Sequence, residues 1–179
     1  MNLKKVKIIA TFGIFALMSL FHFAYELFPN TLFAILFPVN ESIFEHIKLI
    51  FTTFILYGVI DYLLIRKFKL SQNNFFTNLL MSALTCIIVF LIIWLPIYYK
   101  MGENMFITFL ILFITIIISQ VISYYILKSK NNQLLNYISI AFTIIIMITF
   151  AYLTYYPLYH EFFFDPMAEK YGINTYLID

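Results

Sequence analysis

Charge is scarce in this chain. Only 11% of its 179 residues are charged, against roughly a quarter in an ordinary soluble domain. A soluble protein of this size could not cover its surface with so few. Four glycines and five prolines exclude collagen and flexible low-complexity linkers. One cysteine, Cys86, excludes a disulfide framework within the chain, and its apolar surroundings suit inert packing. A net charge of +2 gives no reason to expect nucleic acid. The use of Lys, Asn, Ile, Phe and Tyr suits an AT-rich bacterial genome.

What is abundant is apolar surface: 63% of residues are hydrophobic. Runs of about 20 apolar residues match the hydrocarbon thickness of a bilayer. Five are expected, at about 8–28, 42–65, 76–97, 105–127 and 134–158, with an interfacial tail over 159–179. Lys4, Lys5 and Lys7 precede the first run as in a signal peptide, but no small-x-small cleavage site follows. It reads as a retained span. The expected fold is therefore all-α: one membrane-embedded domain over 1–179, a polytopic bundle of five transmembrane helices.

Basic residues orient this plan. The N-terminus carries Lys4, Lys5 and Lys7, the second loop Arg66, Lys67 and Lys69, and the fourth Lys128 and Lys130. All fall on one side of a five-span bundle. The positive-inside rule then places the N-terminus in the cytoplasm and the C-terminus outside, in a bacterial cell membrane. Every acid except Asp61 falls at or beyond the opposite face, Asp179 included. So do all three histidines, His22, His46 and His160.

Two strings concentrate the polar residues. One is His22-Phe23-Ala24-Tyr25-Glu26, where His22 and Glu26 share a helical face. The other runs from Phe37 to Lys48 as FPVNESIFEHIK, with Glu41, Glu45 and Lys48 at helical spacing. These strings, with Asp165-Pro166, resemble a family of small uncharacterised bacterial integral membrane proteins. The resemblance covers essentially the whole chain. It implies the five-span plan and its boundaries and brings no activity.

Ionisable groups within spans face a bundle interior or a cavity, so the polar ends of spans one and two should meet. Three readings follow. In the first, His22, His46 and His160 hold zinc or another divalent metal, with Glu26, Glu45 or Asp165 nearby. Glu45, with Glu26 as second candidate, then supplies acid–base catalysis for a hydrolase at the outer leaflet. No compact zinc motif such as H-E-x-x-H is present. In the second, the pocket binds or transports an ion, a proton, a lipid or a small molecule. In the third, the network is purely structural: Ser42 and Glu45 form a capping box, with Asn40 as an alternative cap, and Lys48 pairs with Glu41 or Glu45. Asp61 is expected to pair with Arg66, Lys67 or a hydroxyl. In the tail, Asp165 is expected to cap a short helix from Pro166 to Tyr171 that lids the cluster.

Overall fold

The computed structural model describes residues 1–173; Asp179 and the end of the expected tail lie outside them. The described residues are almost entirely helical. The long helices are α1 (Leu3–His22), α4 (Ile43–Lys67), α5 (Phe75–Met101), α6 (Met105–Lys128) and α7 (Gln133–Tyr155), with two short ones, α2 (Ala24–Leu27) and α3 (Thr31–Leu36), between α1 and α4. Local chemistry sets the starts. The side chains of Asn2, Ser42, Asn104 and Asn132 each accept an amide of the first turn of the helix they precede.

Helices α4, α5, α6 and α7 are long and apolar enough to cross a membrane. Their outward faces, with Val59, Ile92, Val121 and Ile148 exposed, suit contact with lipid. Helix α1 is shorter and begins with lysines. Its hydrogen-bond ladder stops at Phe23, so the run expected to continue to Phe28 is divided between α1 and α2.

Helices α1, α4, α5 and α6 pack in a ring, each against the next, and α7 lies outside it against α5 and α3. The ring closes over Ala10, Ile14, Met18, Phe51, Phe54 and Cys86. Gly13 lets α1 and α4 approach closely: a Cβ there would lie 2.5 Å from the Tyr57 ring. We call the end carrying α2, α3 and the tail the upper end.

At the lower end, Lys7 of α1 forms an ion pair with Asp61 of α4. Both are at least 95% buried. The expectation of Arg66 or Lys67 as partner is thus corrected. Those two lie in the last turn of α4, whereas Lys7 comes from the neighbouring helix at the depth of Asp61. A buried ion pair contributes little net stability but is costly to break, because the remaining charge has no partner. Asp61→Ala or Lys7→Ala should destabilise the detergent-purified protein by about 3–5 kcal/mol. The double variant Asp61→Leu, Lys7→Met should recover most of that loss, as read by thermal unfolding.

After α7 the chain makes a 3-10 turn at Glu161–Phe163 and a hairpin of β1 (Phe164–Asp165) and β2 (Lys170–Tyr171). The expected helix after Pro166 is therefore a strand–turn–strand. Asp165 accepts the amides of Met167 and Ala168, Glu169 takes a positive φ of 51°, and Phe164 packs against Tyr171 across the pair. Phe163 is buried against Phe44 of α4, which fastens the tail over the upper end.

Candidate metal centre

The upper end is organised around Lys48. Its side chain is fully buried, and its ammonium has three partners. It donates to the carbonyl of Ala34 in α3 and to Thr154 Oγ1 in α7, each at 2.8 Å. It pairs with Glu45 Oε2 at 2.5 Å. All three N–H groups are satisfied, as a charge removed from water requires. Glu45, also buried, accepts the Val39 amide at 3.2 Å, and its Oε1 lies 3.0 Å from the Thr154 hydroxyl. Half of the expected capping box is present. Ser42 accepts the Glu45 amide, but the Ser42 amide goes to Asn40 Oδ1, and the Glu45 carboxylate turns inward to Lys48.

This scaffold fixes the segment from Val39 to His46 against α1. Glu41 is held through its backbone, whose amide donates to Asp165 Oδ2 at 3.2 Å. Asn40 Nδ2 donates to the Gly172 carbonyl at 3.1 Å. Gly172 has φ +55°, and a Cβ there would lie 2.8 Å from the Thr154 carbonyl.

His22 at the end of α1, His46 in the first turn of α4 and Glu41 before it converge. Nε2 of His22 lies 3.2 Å from Nε2 of His46. Glu41 Oε2 lies 3.6 Å from the first and 3.4 Å from the second. A triangle with these sides has a circumradius of about 2.0 Å, the product of the sides over four times the area. Zinc bonds to nitrogen and carboxylate oxygen are about 2.0–2.2 Å long, so an ion just off the plane of the three atoms reaches all of them. Ligand atoms at the corners of a zinc tetrahedron stand roughly 3.3–3.4 Å apart, from the same bond lengths.

Tautomer chemistry agrees. His46 Nδ1 lies 2.9 Å from the Ser42 carbonyl, which can only accept, so Nδ1 carries the proton and Nε2 presents its lone pair to the site. This backbone orientation of a histidine is the usual support of a metal ligand. His22 beside Glu41 holds its carboxyl below the usual carboxylate range; partial burial opposes this and His46 adds to it. Glu41 is therefore ionised at neutral and mildly acidic pH, as a ligand must be.

The other candidate residues lie elsewhere. His160 is not part of this group; its Nδ1 accepts the Phe162 amide in the tail's 3-10 turn. Glu26 is exposed on α2, because the interruption at Phe23 removes the helical register that would place it over His22. Glu45 is engaged with Lys48. Glu41 is less evident from the sequence, since it precedes α4 and its backbone is held by the tail through Asp165.

Two cavities meet at this group. One of about 290 Å³ lies towards the tail and includes Trp94, Tyr98, Tyr99 and Glu161 in its wall. The other, about 190 Å³, descends between α1, α4, α5 and α6 past Met18, Leu49 and Leu112. Glu41, His46, Phe90, Glu103 and Thr108 line both.

Zinc titrated into the metal-free protein should bind at about one equivalent, and more weakly in acid, because protons compete with the metal for its ligand atoms. His22→Ala and His46→Ala should abolish stoichiometric binding in calorimetry, and His160→Ala should leave it unchanged. Lys48→Ala, which strands Glu45, should cost about 3–5 kcal/mol of stability and weaken zinc binding as well.

No curated protein and no solved structure matches the chain. The family of unknown function DUF6512 matches residues 1–173. With nearly the whole chain covered, the protein belongs to that family.

Proposed function

We propose that the chain is a single-domain, five-span protein of the bacterial cell membrane, N-terminus inside, and that its upper end is the extracytoplasmic face. The positive-inside bias of the N-terminus and of the loops after α4 and α6 supports this orientation. Helix α1 is the fifth span: its 20 residues reach about 30 Å, and its ring position buries one side against α4 and α6.

At that face, His22, His46 and Glu41 hold a divalent ion such as zinc, and the protein is a hydrolase of membrane-borne substrates. The near-equilateral ligand triangle, with His46 oriented by the Ser42 carbonyl, carries this reading. Three protein ligands leave the fourth position free, the pattern of catalytic rather than structural zinc. The ion would lower the pKa of a coordinated water towards 7 and polarise an ester oxygen. Glu103 lines both cavities and is the general base of this reading, taking the proton of the attacking water. Glu45 acts as a positioning residue: through Lys48 it sets the start of α4 and hence His46.

The test is acyl-chain release from fluorescently labelled phospholipid vesicles by zinc-loaded protein. Turnover should be lost in His46→Ala and fall about 10²-fold or more in Glu103→Gln. Stoichiometric zinc without turnover of any phospholipid would refute the hydrolase and favour a binding or transport protein. Thiol labelling at Lys100→Cys and Ser129→Cys tests the orientation. Reaction of the second site from outside the cell would overturn it.

A further inference from the structure

The two cavities differ in a way that specifies what occupies them. Among the described residues, neither wall contains a lysine or an arginine. The larger cavity has Glu161 and the rings of Trp94, Tyr98 and Tyr99 at its tail side. Trp94 is anchored by its indole N–H, which donates to Thr108 Oγ1 at 2.9 Å. Tyr98 stacks on it at 4.6 Å between centroids, and Tyr99 is exposed. Trp94 is sandwiched between Phe90 and Tyr98, which leaves the tyrosines and Glu161 of the same wall as the groups for a cation. A carboxylate and aromatic rings lining one cavity select an ammonium group by charge and by the negative faces of the rings. An anionic head group without an amine finds three carboxylates in that wall, Glu41, Glu103 and Glu161, and no lysine or arginine to pair with. The smaller cavity is walled mainly by apolar side chains, among them Met18, Leu49, Phe109 and Leu112, and suits a hydrocarbon chain.

We infer that the pocket takes an outer-leaflet phospholipid whose head carries a protonated primary amine. The ammonium lies at Glu161 and the tyrosine rings, the linkage to be cleaved at the His22–His46–Glu41 group, and an acyl chain in the smaller cavity. The substrate role rests on the hydrolase reading above; amine recognition itself does not need the metal.

The experiment separates the two. Trp94 is the one tryptophan of the chain and lines the larger cavity, so its fluorescence reports on occupancy of the pocket. The metal-free protein in EDTA is titrated with dihexanoyl phosphatidylethanolamine and, separately, with dihexanoyl phosphatidylglycerol. A saturable change with the first, at least about tenfold tighter than with the second, is expected. Glu161→Gln should erase that preference, while zinc binding by the same variant stays at the wild-type level and shows the site intact. Equal affinity for the two lipids, saturation by neither, or a preference that survives Glu161→Gln would overturn the amine assignment. Amine preference in a protein that binds no zinc would retain the pocket and remove the hydrolase.

Discussion

One buried ammonium ties the upper end of this protein together. Lys48 sits in the first turns of α4 with no access to water, and its three protons reach α3, α7 and a carboxylate of its own helix. The lysine gives the Glu45 carboxylate its opposite charge and the Ala34 carbonyl a donor. Removing the lysine therefore strands the Glu45 carboxylate and the Ala34 carbonyl together, and frees α7 from the start of α4. The turn from Val39 to Ser42 and the start of α4 meet at this junction, since Glu45 accepts the Val39 amide and its own amide goes to Ser42. The lower end repeats the device with Lys7 and Asp61, so α4 carries a buried ion pair near each end.

The division of labour among the acids follows. Glu45 and Glu41 are four residues apart and would share a face in a continuous helix. Ser42 begins the helix between them, which sends Glu45 inward to a lysine and leaves Glu41 in the preceding turn beside two imidazoles. The outcome is one carboxylate that stabilises structure and another that is exposed enough to serve as a ligand.

Much of this was legible from the residues. The apolar runs pointed to an all-helical architecture, and four of them are helices of membrane-crossing length. The strings around His22 and His46 were expected to meet, and they do, because a short connection makes α1 and α4 neighbours. The tail was expected to lid the cluster as a short helix; it is a hairpin instead, with Phe163 packed on Phe44 and Asp165 accepting the Glu41 amide. What pattern reasoning missed depends on contacts distant in sequence. The partner of Asp61 is Lys7, which the N-terminal basic run disguises as an orientation signal. His160 shares the polar end but caps its own turn. Glu26 lost its register to a one-residue interruption at Phe23 that no proline or glycine announces. Glu41 joins the site through a hydrogen bond from its backbone to Asp165, 124 residues away, and helical periodicity carries no trace of such a contact.

The tail's hold on the first loop has a consequence for biosynthesis. His22, Glu41 and His46 leave the ribosome early, yet the groups that fix their geometry are Thr154, Asp165 and Gly172, which emerge more than a hundred residues later. While the intervening helices are being inserted, Lys48 and Glu45 lack Thr154, and Asn40 lacks Gly172. The ligand triangle is thus completed only when the last helix and the hairpin have docked. A nascent chain interrupted before that point would carry all three side chains without the hydrogen bonds to Thr154, Asp165 and Gly172 that hold the turn between them.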